Sequence, residues 1–222
     1  MSVGFPVGQA GRRRTEAGAG PVRRLRRAER REQILDAATR AFARSGFAAT
    51  SLDDVAAEAG ITRVILYRHF DSKASMYRAV LDRACARLAE TVGTGDYVED
   101  AVAVLVRAAA ADPDGFRLLF RHAAREPEFR DQADALTAAS AEVARRDLAG
   151  QIPAGPWLDW AARLVPAVAI EGVIAWLDAG QPDPGQAAER IGQVIQGAIQ
   201  AAKPTEQAPD SHNHPAGPPP GS

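Results

Sequence analysis

Apolar residues recur along this chain at three- and four-residue spacing and show no strand-like alternation, so the pattern predicts helices throughout. Ile34, Leu35, Ala38, Ala41 and Phe42 form one stripe over about residues 30 to 45, with Gly46 as its C′ residue and Phe47 as the hydrophobic residue that often follows such a cap. Leu52, Val55, Ala56 and Ala59 form a second, shorter stripe. Ser51 stands at its N-cap with Asp54 in the capping-box position, and Gly60 ends it as a left-handed residue would. After a turn of Gly60 and Ile61, Thr62 is placed to cap a helix running to about Phe70. Two short helices joined by a tight Gly-containing turn form a helix-turn-helix pattern. A further helix, from Ser72 to about Val92, carries Met76, Tyr77, Val80, Leu81, Ala84 and Leu88 on one face, and residues 93–95 mark a boundary or hinge.

The rest continues as helix: residues 97 to 111, then 113 to about 125 with Phe116, Leu119 and Phe120, then a helix opened by Pro127 and reaching about 149. Residues 150–155 are a Pro/Gly break. Residues 157 to 179 form a long apolar helix with an expected kink at Pro166, and residues 184 to 201 carry Ile191, Val194, Ile195, Ala198 and Ile199 on one stripe. The fold class is all-α: a helix-turn-helix head at residues 29–75 and a helical body at 76–202. A basic arm at 1–28 and a Pro-rich tail at 203–222 have too little to bury and are expected to be disordered.

Charge sharpens this division. The 222 residues carry a net charge of only −1, but residues 1–90 hold 17 Lys and Arg against 10 Asp and Glu, and residues 91–222 hold 10 against 18. A basic head on an acidic body fits a nucleic-acid-binding head, with solubility tuning as the plainer alternative. The second helix of the pair is too polar to be core alone, since Thr62, Arg63, Tyr67, Arg68 and His69 cannot all face inward. Its N-terminus suits a phosphate, and an arginine one residue inside it, Arg63, has the reach to give guanine two hydrogen bonds. Arg23, Arg24, Arg26, Arg27, Arg30 and Arg31 lead into the first helix, where such arms lie along phosphates or enter the minor groove.

The run Gly60-Ile61-Thr62, then Leu66-Tyr67-Arg68-His69-Phe70, then Ser72-Lys73, resembles the DNA-binding signature of the tetracycline-repressor (TetR) family of bacterial regulators. The resemblance covers roughly residues 30 to 201 and is specific to about residue 78. Val64 stands where a Gly is frequent, and Ile65 where a Thr often contacts the DNA backbone, so no such contact carries over to Ile65. The resemblance assigns Tyr67 and Lys73 to phosphates with His69 adjacent. Packing against the first helix is the alternative for His69. The DNA-contacting set is Arg26, Arg27, Arg30, Ser51, Thr62, Arg63, Val64, Tyr67, His69 and Lys73.

The resemblance also implies a small-molecule effector site in the body, for which Phe116, Phe120, Arg121, Trp157, Trp160 and Glu171 are candidates beside the plainer reading that they are core and surface. It further implies a homodimer whose last two long helices pair with their symmetry mates, through Val168, Gly172, Trp176, Ile191, Ile195 and Ala198. Double-stranded DNA with a palindromic operator, a second copy of the chain and an unknown effector are the expected partners. No cofactor, metal or membrane is expected, and the expected location is the bacterial cytoplasm. HExxH, CxxC, GxSxG and phosphate-loop patterns are absent, which leaves a helical enzyme remote. Cys85 is the single cysteine, and His212 with His214 is a weak metal signal in the tail. A DNA-binding activator or architectural protein without an effector is the alternative function.

Overall fold

The computed structural model describes residues 27–92 and 101–204. The expectations placed on Arg23, Arg24 and Arg26, on the hinge at 93–95, and on His212 and His214 lie outside those residues. Among the described residues the chain is all-α, an N-terminal helix-turn-helix head joined to a helical body.

In the head, α1 (Arg27–Ala49) leaves helical geometry at Gly46, the expected terminus, and one further turn carries it to Ala49. Its buried stripe packs on α2 (Leu52–Ala59) and α3 (Arg63–Tyr67). The Ser51–Asp54 capping box opens α2: the Ser51 hydroxyl accepts from Asp54 N–H at 3.1 Å, and Asp54 Oδ2 accepts from Ser51 N–H at 2.8 Å. Gly60, at φ 64°, ends it in the left-handed region, where a side chain would strain the turn. The α3 helix is shorter than expected. The Arg68 and His69 amides bond back to Ile65 and Leu66 carbonyls in a tightened last turn, so helix ends at Tyr67 rather than Phe70. Then α4 (Lys73–Val92) lays Met76, Tyr77, Val80, Leu81 and Ala84 into the same core.

The body holds α5 (Ala101–Ala111), α6 (Pro113–Arg117), α7 (Arg130–Leu148), α8 (Pro156–Asp178) and α9 (Pro184–Ala202). Two expectations are corrected here. The segment read as one helix over 113–125 changes pitch, from α6 into a π turn at Leu118–His122 and a 3₁₀ turn at Ala123–Arg125. Pro127 opens no helix: it sits in a turn closed by Phe129 N–H on the Glu126 carbonyl at 3.0 Å, and α7 begins at Arg130. The α8 helix is one helix across Pro166.

Two hydrophobic cores result. The first joins α1 to α4 and continues into Leu118, Leu119, Ala123, Phe129 and Ala133, so α4 and the π turn serve head and body together. The second gathers Phe116 and Leu148 with the inner faces of α5, α8 and α9. Leu88 and Phe120 pack against both. Ion pairs reinforce the joint: Arg83, 13% exposed, reaches Asp36 of α1 at 2.8 Å, and Arg87 reaches Asp112 at 3.3 Å.

Candidate nucleic-acid interface

Leu66 is the inward anchor of α3, buried in the head core, and Phe70 joins it from the following turn. With those two inside, the opposite side of α3 must face solvent. Val64 is 64% exposed and Tyr67 48%, and Thr62, Arg63 and Arg68 are exposed with them. An exposed valine and tyrosine between arginines is a surface able to meet both apolar base edges and phosphates.

Arg63 is oriented on this surface. Its Nη1 donates to Asp53 Oδ2 at 3.1 Å, its Nη2 donates to Tyr67 Oη at 3.2 Å, and the guanidinium lies 5.6 Å from the Tyr67 ring centroid. Asp53 lies in the first turn of α2, an acidic neighbour that the hydrophobic pattern gave no reason to single out. Thr62 takes the N-cap position of α3 with an extended backbone, but its hydroxyl makes no capping bond, contrary to expectation. Ser51 is exposed, with its hydroxyl committed to Asp54.

A second cationic group flanks the far end of α3. Arg27 and Arg31 are exposed and Arg30 is half-buried at the start of α1. The Arg31 guanidinium lies 5.0 Å from the Phe70 ring centroid, and Arg30 donates to Gln33, which in turn donates to the Ala59 carbonyl at the end of α2. His69 is half-buried beside them. Burial holds its pKa below the usual value, and the charges of Arg27, Arg30 and Arg31 push the same way.

Lys73 is corrected. Its ammonium donates to the carbonyls of Phe47 at 2.8 Å and Thr50 at 3.0 Å, with Ala48 at 3.4 Å, and sits 4.4 Å from the Phe47 ring centroid. These contacts tie the last turn of α1 and Thr50 to the start of α4.

Residues 34–80 match the family model for bacterial regulatory proteins of the tetR family. FasR of Mycolicibacterium smegmatis, an HTH-type transcriptional activator, is 32% identical over 142 residues, which cover 60% of this chain and 65% of FasR. Residues 34–80 thus form a domain of the tetR family. TtgR of Pseudomonas putida, an HTH-type transcriptional regulator, is 50% identical over 54 residues, 24% of this chain and 26% of TtgR. The chain thus spans less than two thirds of the length of these relatives. A TetR-like transcriptional regulator from Rhodococcus sp. RHA1 shares the fold with a TM-score of 0.70 at 21% identity, over 80% of this chain and 99% of that one.

In the body, the residues expected at one effector site do not converge. Phe116 and Phe120 pack as tilted rings with centroids 4.6 Å apart where the cores meet, and Arg121 bonds Asp178 at 2.6 Å on the surface. Trp157 and Trp160 pack edge-to-face at 5.8 Å but are 63% and 40% exposed, and Glu171 is exposed. Trp160 instead lines an open groove of about 620 Å³ along α8 with Pro156, Arg163 and Leu164. A smaller cleft, about 270 Å³, lies where Ala84 and Leu88 of α4 meet Ala108, Phe116 and Leu119, with Arg87, Glu90 and Asp112 contributing polar groups.

Of the residues expected at the dimer interface, several are taken up inside the chain. Ile191, Ile195 and Trp176 are buried in the chain's own second core, and Trp176 Nε1 donates to the Pro182 carbonyl at 2.6 Å. A Cβ on Gly172 would lie 2.9 Å from Ile191, so this glycine lets α8 and α9 of one chain approach each other. Val168 and Ala198 are half-buried, while Val194 on α9 is 59% exposed. By length and composition α8 could cross a membrane, yet it packs here between α7 and α9, with 33% of its most apolar window buried. Among the described residues no group of three His, Cys, Asp or Glu side chains is arranged to hold a metal ion.

Proposed function

We propose that this chain is a sequence-specific DNA-binding transcriptional regulator, a homodimeric repressor released from a palindromic operator by a small-molecule effector in the bacterial cytoplasm. The observation that carries this reading is the face of α3, where Arg63, Val64 and Tyr67 stand exposed while Leu66 locks the helix to the head. Arg63 would read guanine, Val64 would meet a thymine methyl, and Tyr67, Arg27, Arg30, His69 and Thr62 would hold the backbone on either side. Residues 29–75 would act as the reading head and 76–202 as the effector and dimerisation body. The 270 Å³ cleft, bounded by the α4 helix that enters the head, is the body site best placed to couple an effector to the heads.

One head with a five-residue recognition helix reads few base pairs, so two must be held at a fixed spacing. Within one chain Leu164, Val165, Val168, Ala169 and Ile170 of α8 are only half-buried, and Val194 on α9 is 59% exposed. A second copy would bury both around a two-fold axis. Activation rather than repression is the second reading, favoured by the similarity to the activator FasR. Mapping the tagged chain on its own genome tests the proposal. Sharp occupancy at an inverted repeat is expected, and occupancy without a shared sequence contradicts it. Transcript levels in a deletion strain then separate the two readings, with neighbouring genes rising for a repressor and falling for an activator.

A further inference from the structure

Arg63 is held from two helices at once. Asp53 of α2 takes one terminal nitrogen at 3.1 Å, Tyr67 of α3 takes the other at 3.2 Å, and the Tyr67 ring lies alongside. A guanidinium has five N–H groups, so one donor on each terminal nitrogen is left over, the pair a guanine edge accepts. The pair is not needed for folding. Both side chains are well exposed, 51% for Arg63 and 69% for Asp53, and exposed pairs of this kind add little to stability. An exposed carboxylate beside the reading face also repels phosphates, lowering affinity for DNA of any sequence.

We propose that Asp53 is a positioning residue for base reading: with Tyr67 it fixes the Arg63 guanidinium in one orientation, raising discrimination for guanine while lowering general DNA affinity. This rests on the proposed reading of DNA by α3. A held fork loses less freedom on contacting its base, and it cannot swing to a nearby phosphate to rescue a wrong one.

The test uses the full chain and two duplexes: the one most enriched from a random-sequence pool by the wild type, and a scrambled duplex of equal composition. For Asp53→Asn we expect an unchanged thermal midpoint, tighter binding to the scrambled duplex, and a two- to fivefold fall, roughly what an exposed ion pair is worth, in the selected-to-scrambled affinity ratio. Base tolerance should widen at the guanine position alone. Asp53→Glu, which keeps the carboxylate, should recover part of the ratio, and in an Arg63→Ala background Asp53→Asn should shift both duplexes alike. Equal tightening on both duplexes with the ratio intact, or the same ratio loss without Arg63, would overturn the inference while leaving DNA reading by α3 standing. An Arg63→Ala variant that keeps the wild-type ratio overturns both.

Discussion

Lys73 shows how a charge read from sequence changes meaning once its neighbours are known. A cation at the start of α4 suits a phosphate or a set of backbone carbonyls, and the sequence carries no term that separates them. The contacts with Phe47, Ala48 and Thr50 decide for the carbonyls. Lys73→Ala should therefore destabilise the head by about 1.5–3 kcal/mol, the worth of hydrogen bonds to a charged group, and lower the thermal midpoint. Its effect on the salt dependence of DNA binding should be small, and a normal midpoint with a flatter salt slope would return Lys73 to the phosphates. Arg63 was legible because its place, one residue inside a short polar helix, has a direct chemical meaning. Asp53 was not, since ten residues of sequence separate it from the side chain it orients.

The two half-buried histidines give a residue-level prediction of opposite character. Burial, then the charges of Arg27, Arg30 and Arg31, lowers the pKa of His69. Burial first, with Arg121 and Arg125, lowers that of His122, against the Ala43 carbonyl that accepts from it. A base whose pKa is lowered on folding stays neutral in the native state while the unfolded chain takes up a proton near the ordinary value of 6.5. The unfolded state then binds more protons below that pH, so stability falls as pH drops from 6.5 toward the lowered folded pKa values. Melting curves across that window should show the midpoint falling with pH, and His69→Asn with His122→Asn should flatten the trend. A midpoint that rises on acidification contradicts it.

Among the elements, the helix-turn-helix was the most legible, because capping box, glycine stop and apolar spacing all agree over residues 51–66. Ser51→Ala removes one arm of the box and should cost about 1 kcal/mol without altering the fold, as read by denaturant midpoints. The segment from Pro113 to Arg130 was the least legible. Proline at position 127 suits a turn as well as a first helical position. The π turn at Leu118–His122 is set by Leu118, Leu119 and Phe120 reaching two cores, a tertiary demand with no local signature. Gly172 belongs at this scale too. Because its missing Cβ makes room for Ile191, Gly172→Val should push α8 from α9 and destabilise the body, visible as a lower melting midpoint. A midpoint equal to wild type would show that the two helices yield without cost.

For the whole molecule, the sequence made plain that α8 and α9 carry more apolar surface than one packing face needs, but not which residues meet each other and which remain for a partner. Periodicity names an apolar face without naming what covers it. Ile191 and Ile195 are consumed inside the chain, so a charge at Ile195 would unfold the body before it tested any dimer. Val194 is the better probe. Val194→Glu leaves the monomer core untouched and, in the proposed dimer, puts a carboxylate into the shared surface. Sedimentation at micromolar concentration should show a wild-type dimer and a folded Val194→Glu species of half the mass. A dimer of unchanged strength would move the interface elsewhere.

Whether two copies read a palindrome through Arg63 can be measured by replacing single guanines of the selected duplex with 7-deazaguanine, which lacks the N7 acceptor. Two sensitive positions are expected, one per half-site and symmetric about the centre. Each should weaken wild-type binding by between about fivefold and a hundredfold, and neither should matter to Arg63→Ala. Wild-type binding that tolerates the substitution at every guanine, or an Arg63→Ala variant as sensitive as the wild type, would contradict it.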